Sequence, residues 1–371
     1  MTHATMVSGT KLHRVASLDV VRGLMLVASV GVNSVINASG QSEHHPWNGV
    51  HLIDLIFPIF VTLTGAGIAF AYVRGISNPR RLVRRVVVLT TAGFVYGALT
   101  TANWDPATTR VFGILQLYAV VILLVCLAHI WIRTTLGWVV VVLVLTAGLT
   151  LLHTVFMVHC GGMVTRECNP SLTIDLQQAW LAHTYHLGES GHDPEGLVSM
   201  AGATLQASVG ALFGHVILNA RAAQDRVTVV RRLGTAVSLG LVVLAAASIL
   251  LPVLVGAEPL PVMKRLWTPP FAVLTGAGTG VVLLLAYLLI DHGDSQERAA
   301  RLRPLEPLLA LGRNSLLVYF GSHVLNALFR QWGWVQPLTG TPWEHLFPVL
   351  SILAWTALAM VLNRHRLYLR A

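Results

Sequence analysis

Residues 17–69 read SLDVVRGLMLVASVGVNSVINASGQSEHHPWNGVHLIDLIFPIFVTLTGAGIA. Two apolar runs flank a polar connection, and each run approaches the roughly 20 residues that a helix needs to cross a bilayer. The same alternation continues through all 371 residues, of which 54% are hydrophobic and 11% charged. Soluble domains carry about 25% charged residues, so this chain cannot cover a water-facing surface. A soluble enzyme, a disordered protein and a disulfide-framework secreted domain are excluded. The expected fold is all-α, a polytopic transmembrane helix bundle.

Ten spans are expected, at 16–38, 50–73, 82–101, 111–131, 135–157, 197–219, 233–255, 269–290, 306–329 and 345–363. Of the 25 Lys and Arg, 19 fall on one side of the alternation. They are Lys11, Arg14 and Arg22, then Arg74 with the 80–85 cluster, Arg133, the 221–232 and 298–303 groups, and Arg364, Arg366 and Arg370. Five fall on the other side (Arg110, Arg166, Lys264, Arg265, Arg330), and Arg313 lies inside a span. The bias predicts both termini in the cytoplasm. The net charge of +9 therefore marks inner loops rather than a nucleic-acid groove, and no nucleic-acid partner is expected. The first span is read as a retained helix and not a cleaved signal, because Asp19 and Arg22 sit at its start and no small-x-small cleavage site follows.

Charged and polar groups at membrane depth are costly and face a cavity or a partner. Asp19 and Arg22 share one helix face three residues apart, which fits a self-neutralising local pair. Arg22 also fits an inward-facing phosphate ligand, since Arg presents a planar fork of donors. Asn33 and His44 are eleven residues apart, about 16 Å in a continuous helix. They can share a site only if the chain leaves the helix between them, and Gly40 with its polar neighbours suits such a break. His44 at the outer rim is then a candidate general base. Asn33 is a candidate amide donor to a developing oxyanion or for orienting the base, and Asp54 a candidate to fix the imidazole tautomer. A hydrated polar cap on a helix hairpin is the plainer reading of the same residues.

The outer loop 158–196 leaves a Cys160–Cys168 disulfide open, while Cys126 falls inside a span. His183 and His186, at helical spacing, form a candidate metal group with His192, but no acidic ligand has matching spacing, so no metal is expected.

The quoted stretch resembles the N-terminal signature of the heparan-α-glucosaminide N-acetyltransferase family. The residues that carry the resemblance are Ser17, Asp19, Arg22 and Gly23; Val32 and Asn33; His44, Trp47, Asn48 and Gly49; and Asp54, Leu55, Ile56, Phe57 and Pro58. Four later segments are similar in order: RVFGILQLYAV (110–120, with Leu117 where an Arg is usual), DPEGLVSM (193–200), PVMKRLWTPPFAVLTGAG (261–278) and LGRNSLLVYFGSHVL (311–325). The resemblance implies one integral-membrane acyltransferase domain over 1–371, of bacterial type and seated in the cytoplasmic membrane. It implies transfer of an acetyl group from cytosolic acetyl-CoA to an amine or hydroxyl of an extracytoplasmic amino sugar, glycan or glycolipid. The essential histidine of that family falls on His44 rather than His45, and its asparagine on Asn33. Acetyl-CoA as co-substrate then suggests Arg22, Arg84, Arg85 and Arg313 for its phosphates, with Asn314 and Ser315 lining an uncharged lane. Direct attack by the acceptor and an acetyl-histidine relay both fit. Membrane lipids are expected partners, a homodimer is left open, and the rival class is a transporter or flippase for a lipid-linked or amphiphilic substrate.

Overall fold

A computed structural model of the chain describes residues 14–72, 79–291 and 295–368. Lys11, Arg74 and Arg370, which enter the charge bias, lie outside the described residues. The helices are α1 (Ala16–Asn33), α2 (Leu52–Tyr72), α3 (Pro79–Thr101), α4 (Ile114–Trp131), α5 (Thr135–His159), a short α6 (Pro170–Ile174), α7 (Leu197–Ala222), α8 (Arg226–Leu250), α9 (Pro269–Ile290), a short α10 (Ser295–Leu302), α11 (Glu306–Arg313), α12 (Ser315–Gln331) and α13 (Pro342–Arg364). Among the described residues there is no strand, and nine helices are long and apolar enough to cross a membrane. The chain is an all-α, multi-pass membrane protein.

Local chemistry sets the helix starts. Pro79, Pro269 and Pro342 open α3, α9 and α13, where a missing N–H costs nothing and φ is already helical. The Thr134 hydroxyl accepts from the Gly137 N–H at 3.1 Å to cap α5, and the Asp225 carboxylate caps α8 through the Thr228 N–H at 3.0 Å. Three spans differ most from expectation, and one of them, the seventh, begins at Arg226 rather than at 233. The first ends at Asn33 rather than at 38, so the break needed between Asn33 and His44 comes earlier than the apolar run suggests. The ninth, 306–329, is split into α11 and α12 at Asn314, whose side-chain amide donates back to the Ala310 carbonyl at 3.1 Å. Broken helices persist in membranes only where the backbone is covered by protein or lines a cavity.

α7 is the axis of the bundle. It packs on α2 through small residues: a Cβ on Gly65 would meet the Ala207 carbonyl oxygen, and one on Gly210 the Thr62 carbonyl oxygen, each under 2 Å away. Close backbone approach is how helices associate in lipid, where burial of apolar side chains supplies little drive. Pro58 sits inside α2, and its carbonyl accepts from the buried Gln206 amide at 2.8 Å. Gln206 in turn accepts from the Trp267 indole at 2.8 Å. This chain of hydrogen bonds ties α2, α7 and the segment before α9 together near the start of α2.

Candidate active site

The segment between α1 and α2 folds back over the start of α2. A 3₁₀ turn at Gly40–Ser42 reverses it, and His44 arrives with Nδ1 2.6 Å from one Asp54 carboxylate oxygen. The other Asp54 oxygen accepts the backbone N–H groups of His45 and His51, both at 3.0 Å. Asp54 is 2% exposed while the His44 side chain is 47% exposed. A buried carboxylate on Nδ1 fixes the tautomer that leaves Nε2 as an accessible base. Gly49 makes the turn feasible: its φ is +139°, and a Cβ there would lie 2.7 Å from the His45 ring. His45 is packed on Gly49, with its ring 4.8 Å from that of His51. The two neighbouring histidines therefore differ in surroundings, and His45 is not an equivalent rim residue.

Three other segments clamp this turn. Arg166 donates to the Pro46 carbonyl at 2.8 Å and Arg265 to the His45 carbonyl at 3.0 Å, and the Trp47 ring meets His192 at 5.1 Å. The Cys160–Cys168 disulfide is formed and brackets Val164, whose carbonyl lies 3.5 Å from the Trp47 indole nitrogen. Behind the turn, Arg110 bridges Asp193 and Glu195. Burial pushes the Glu195 carboxyl up, but Arg110 and Lys264 outweigh it and hold Glu195 below its ordinary value. Burial, helped by Arg265 and Arg110, drives the Lys264 ammonium downward against the pull of Glu195 and Asp54. Glu195 and His323 both lie within electrostatic reach of His44.

Arg110, Asp193, Glu195 and Lys264 all fall in the quoted motifs, yet sequence reasoning does not assign them to the site. The available signal is their charge beside span ends, with the two signs in different motifs. The histidine metal group does not assemble. His186 and Leu187 are left-handed (φ 48° and 53°), which breaks the helical spacing. The His183 ring binds the Thr109 carbonyl, and the His186 and His192 rings bind Ser190. Among the described residues no group of three or more His, Cys, Asp or Glu is arranged around a metal.

At the opposite end of α2 lie two adjoining cavities of about 300 and 350 Å³. Both are lined by Arg14, Arg22 and Arg85; the first adds Arg313 and Ser315, the second Arg221 and Asp19. The local Asp19–Arg22 pair does not form. Asp19 instead takes a two-point bond from Arg14, at 2.6 and 2.9 Å, with Arg313 3.9 Å away. Arg22 crosses to the Leu63 carbonyl of α2 at 3.0 Å because Asp19 is already engaged. The Nε atoms of Arg85 and Arg313 are buried without a hydrogen-bond partner. Arg84 is exposed and lines neither cavity. Asn314 is buried with Oδ1 unpartnered.

Between the basic end and the rim the first cavity is walled by Phe57, Phe60, Tyr118 and Tyr319. Phe57 lies three residues below Asp54, about 4.5 Å along the helix, and the Arg22 contact at Leu63 lies nine residues below it, about 13.5 Å. The arrangement is a cationic chamber, an aromatic lane and a His–Asp dyad along one helix. Asn33 closes α1 near the rim, and its amide nitrogen is buried without a partner.

Residues 14–171 match the family described as heparan-alpha-glucosaminide N-acetyltransferase, catalytic. That segment includes Arg22, Asn33, His44, Asp54, Arg84 and Arg85, so the resemblance read from the motifs holds. The chain is also similar to the heparan-alpha-glucosaminide N-acetyltransferases of Mus musculus and Homo sapiens, at 23% and 24% identity over 96% of its length. It spans about 60% of the length of these curated relatives.

Proposed function

We propose that this protein is a transmembrane acetyltransferase, a single membrane-embedded unit that moves acetyl from cytosolic acetyl-CoA to an amine, or hydroxyl, of a sugar-containing acceptor outside. The observation that carries the reading is the continuity along α2 of the cationic chamber and the His44–Asp54 dyad. The site fits the donor on its own chemistry. Arg14, Arg22, Arg85 and Arg313 gather around Asp19 in the two cavities, which suits a polyanion. Buried donors without a hydrogen-bond partner at Arg85 and Asn33 lie at the two ends, and such groups are costly unless something binds them.

The chemistry asks four things of the residues. Arg22, Arg85 and Arg313 hold phosphates at the inner mouth, while Ser315 and Asn314 offer hydrogen bonds beside the lane. His44 Nε2 takes the proton as the acceptor nitrogen attacks the thioester carbonyl; the C–N bond forms, Asn33 donates to the oxyanion, and the C–S bond then breaks. The imidazolium returns its proton to the departing thiolate. Asp54 stabilises that imidazolium and keeps Nε2 aimed outward. The exposure of His44 to water favours direct attack over an acetyl-histidine relay, since a stable acyl-imidazole would hydrolyse there.

Two features support the expected orientation, with termini inside and His44 outside a bacterial cytoplasmic membrane. The positive-inside bias is one. The other is the Cys160–Cys168 disulfide clamped to the His44 turn, because disulfides persist on oxidising sides of membranes.

The test is thermal stability of the solubilised protein with acetyl-CoA. Stabilisation at micromolar concentrations, on the order of 1–3 kcal/mol near 10–100 times Kd, supports the reading. No stabilisation by acetyl-CoA or CoA removes it and leaves the transporter or flippase as the better account of the polar cluster.

A further inference from the structure

An apolar groove of about 880 Å³ runs between α3 and α12. Its walls include Val88, Ala92 and Val95 from α3 and Val324 and Leu325 from α12, and Trp355 of α13 closes its flank. Ala92 and Val95 are exposed at the surface of the bundle, so the groove faces the hydrocarbon region. It is not an isolated crease. Leu89, Leu316 and Phe320 line both this groove and the aromatic lane of the cationic chamber. Tyr96, also in its wall, meets the Phe320 ring at 5.5 Å and lies within electrostatic reach of Glu195 at the rim.

The outer end of the groove is bridged. The Gln331 amide donates to the Leu99 and Thr100 carbonyls at 2.9 and 3.0 Å, joining the last turns of α12 and α3. Trp104 and Trp332, just beyond those two helix ends, and Trp334 are all exposed. Exposed tryptophans gather at the headgroup level of a bilayer. The groove thus starts beneath the interface on the His44 side and descends beside the lane.

We propose that this groove seats the hydrocarbon tail of a lipid-linked amino sugar, with the sugar held at the rim for acetylation. The inference rests on the transferase reading and names its acceptor class. Moving a tail from bilayer to groove gains little apolar burial, because lipid is as apolar as the groove wall. The groove therefore acts by confinement. A seated tail holds the headgroup near His44 and raises its effective concentration there. The consequence is a preference in kcat/KM for an amphiphilic acceptor over the same sugar free in water.

The experiment uses the full chain in nanodiscs, with acetyl-CoA and two probes, glucosamine and dodecyl glucosaminide carrying a terminal diazirine. Ala92→Trp fills the groove from its exposed edge; Val243→Trp places an equal ring on the lipid face of α8 and serves as control. The wild type should acetylate the dodecyl probe with kcat/KM on the order of tenfold or more above glucosamine. Ala92→Trp should remove that advantage while glucosamine turnover stays unchanged, and Val243→Trp should change neither. Photolysis should label α3 and α12. Equal kcat/KM for the two probes, equal loss of both in Ala92→Trp, or label confined to other helices overturns the proposal. Label in the groove with no turnover of either probe removes the transferase reading and leaves the tail site standing.

Discussion

The two ends of α2 are built on opposite electrostatic principles. At the rim charges are matched: His44 with Asp54, and Arg110 with Asp193 and Glu195. Each partner lies within 2.6 Å, and loops from three parts of the chain hold the turn. At the other end Arg14, Arg22, Arg85 and Arg313 line the cavities around the single aspartate Asp19. A matched site is preorganised and changes little when it acts. An unmatched site is a demand for counter-charge. On the proposed function, the rim would position the chemistry and the basic end would hold an anion, so mutations at the two ends should separate catalysis from binding.

The most severe break in that division comes from His44→Ala. Loss of a general base typically costs on the order of 10²–10⁴ in rate, so acetyl transfer should nearly vanish while acetyl-CoA affinity, measured by thermal shift, stays close to wild type. Asp54→Asn should fall in the same direction with a smaller loss, because it keeps the shape and removes the charge that stabilises the imidazolium. His45→Ala is a poorer control than its position suggests. Its ring covers Gly49, and its removal loosens the turn as well. Near-normal turnover in His44→Ala would erase the contrast between the two ends.

Much of this layout is written plainly in the sequence, for identifiable reasons. Span position follows from apolar length, and α9 matches its expected limits of 269–290 residue for residue, since Pro269 and Asp291 mark its ends. The His44–Asp54 pair is legible because both residues fall in one short polar break. The split at Asn314 is less so, because Gly312, Arg313 and Asn314 interrupt the apolar pattern only briefly and no Pro marks the break. Arg22 is misread as a partner of Asp19 because helical spacing puts them on one face, whereas Arg14, from outside the helix, reaches the carboxylate first. The Arg110–Glu195–Lys264 cluster joins residues from three distant segments, and no local pattern encodes such a meeting.

A second comparison sharpens the inner end. Arg84 and Arg85 are adjacent in the sequence, yet only Arg85 lines the cavities. Removing a charged hydrogen-bonding group costs about 1.5–3 kcal/mol, so Arg85→Ala should weaken acetyl-CoA binding roughly 10–100-fold. Arg84→Ala should change it less than about twofold, in keeping with a surface charge near the membrane. Titration of solubilised protein with acetyl-CoA by calorimetry measures both. Equal effects would make both arginines anchors of the helix end at the membrane surface and leave the charge excess of the cavities unexplained.

The smallest expected effect concerns how rigidly the outer loops hold the rim. His192 is buried against Trp47, and burial pushes its imidazole down to about 4. An unfolded histidine near 6.5 binds a proton between those values that the folded one refuses, so this residue destabilises the fold as pH falls from about 6.5 to 4. Asp175 does the reverse. Burial raises it to about 6 even though Ser171 and the Leu197 N–H bond its carboxylate. The folded carboxyl keeps a proton that the unfolded one, near 3.9, has released, so stability from this residue grows as pH falls from about 6 to 4. The two slopes oppose each other, each on the order of 1 kcal/mol per pH unit. Replacing one should expose the other. His192→Gln should gain stability relative to wild type between pH 6 and pH 4.5, and Asp175→Asn should lose it over the same interval. Hydrogen exchange of the backbone amides in residues 160–195 reads the slopes independently of any cost the substitutions carry at a single pH. Parallel pH dependence in both variants would mean that these two buried groups do not set the rigidity of the rim, and that its preorganisation resides in the Arg110 bridge instead.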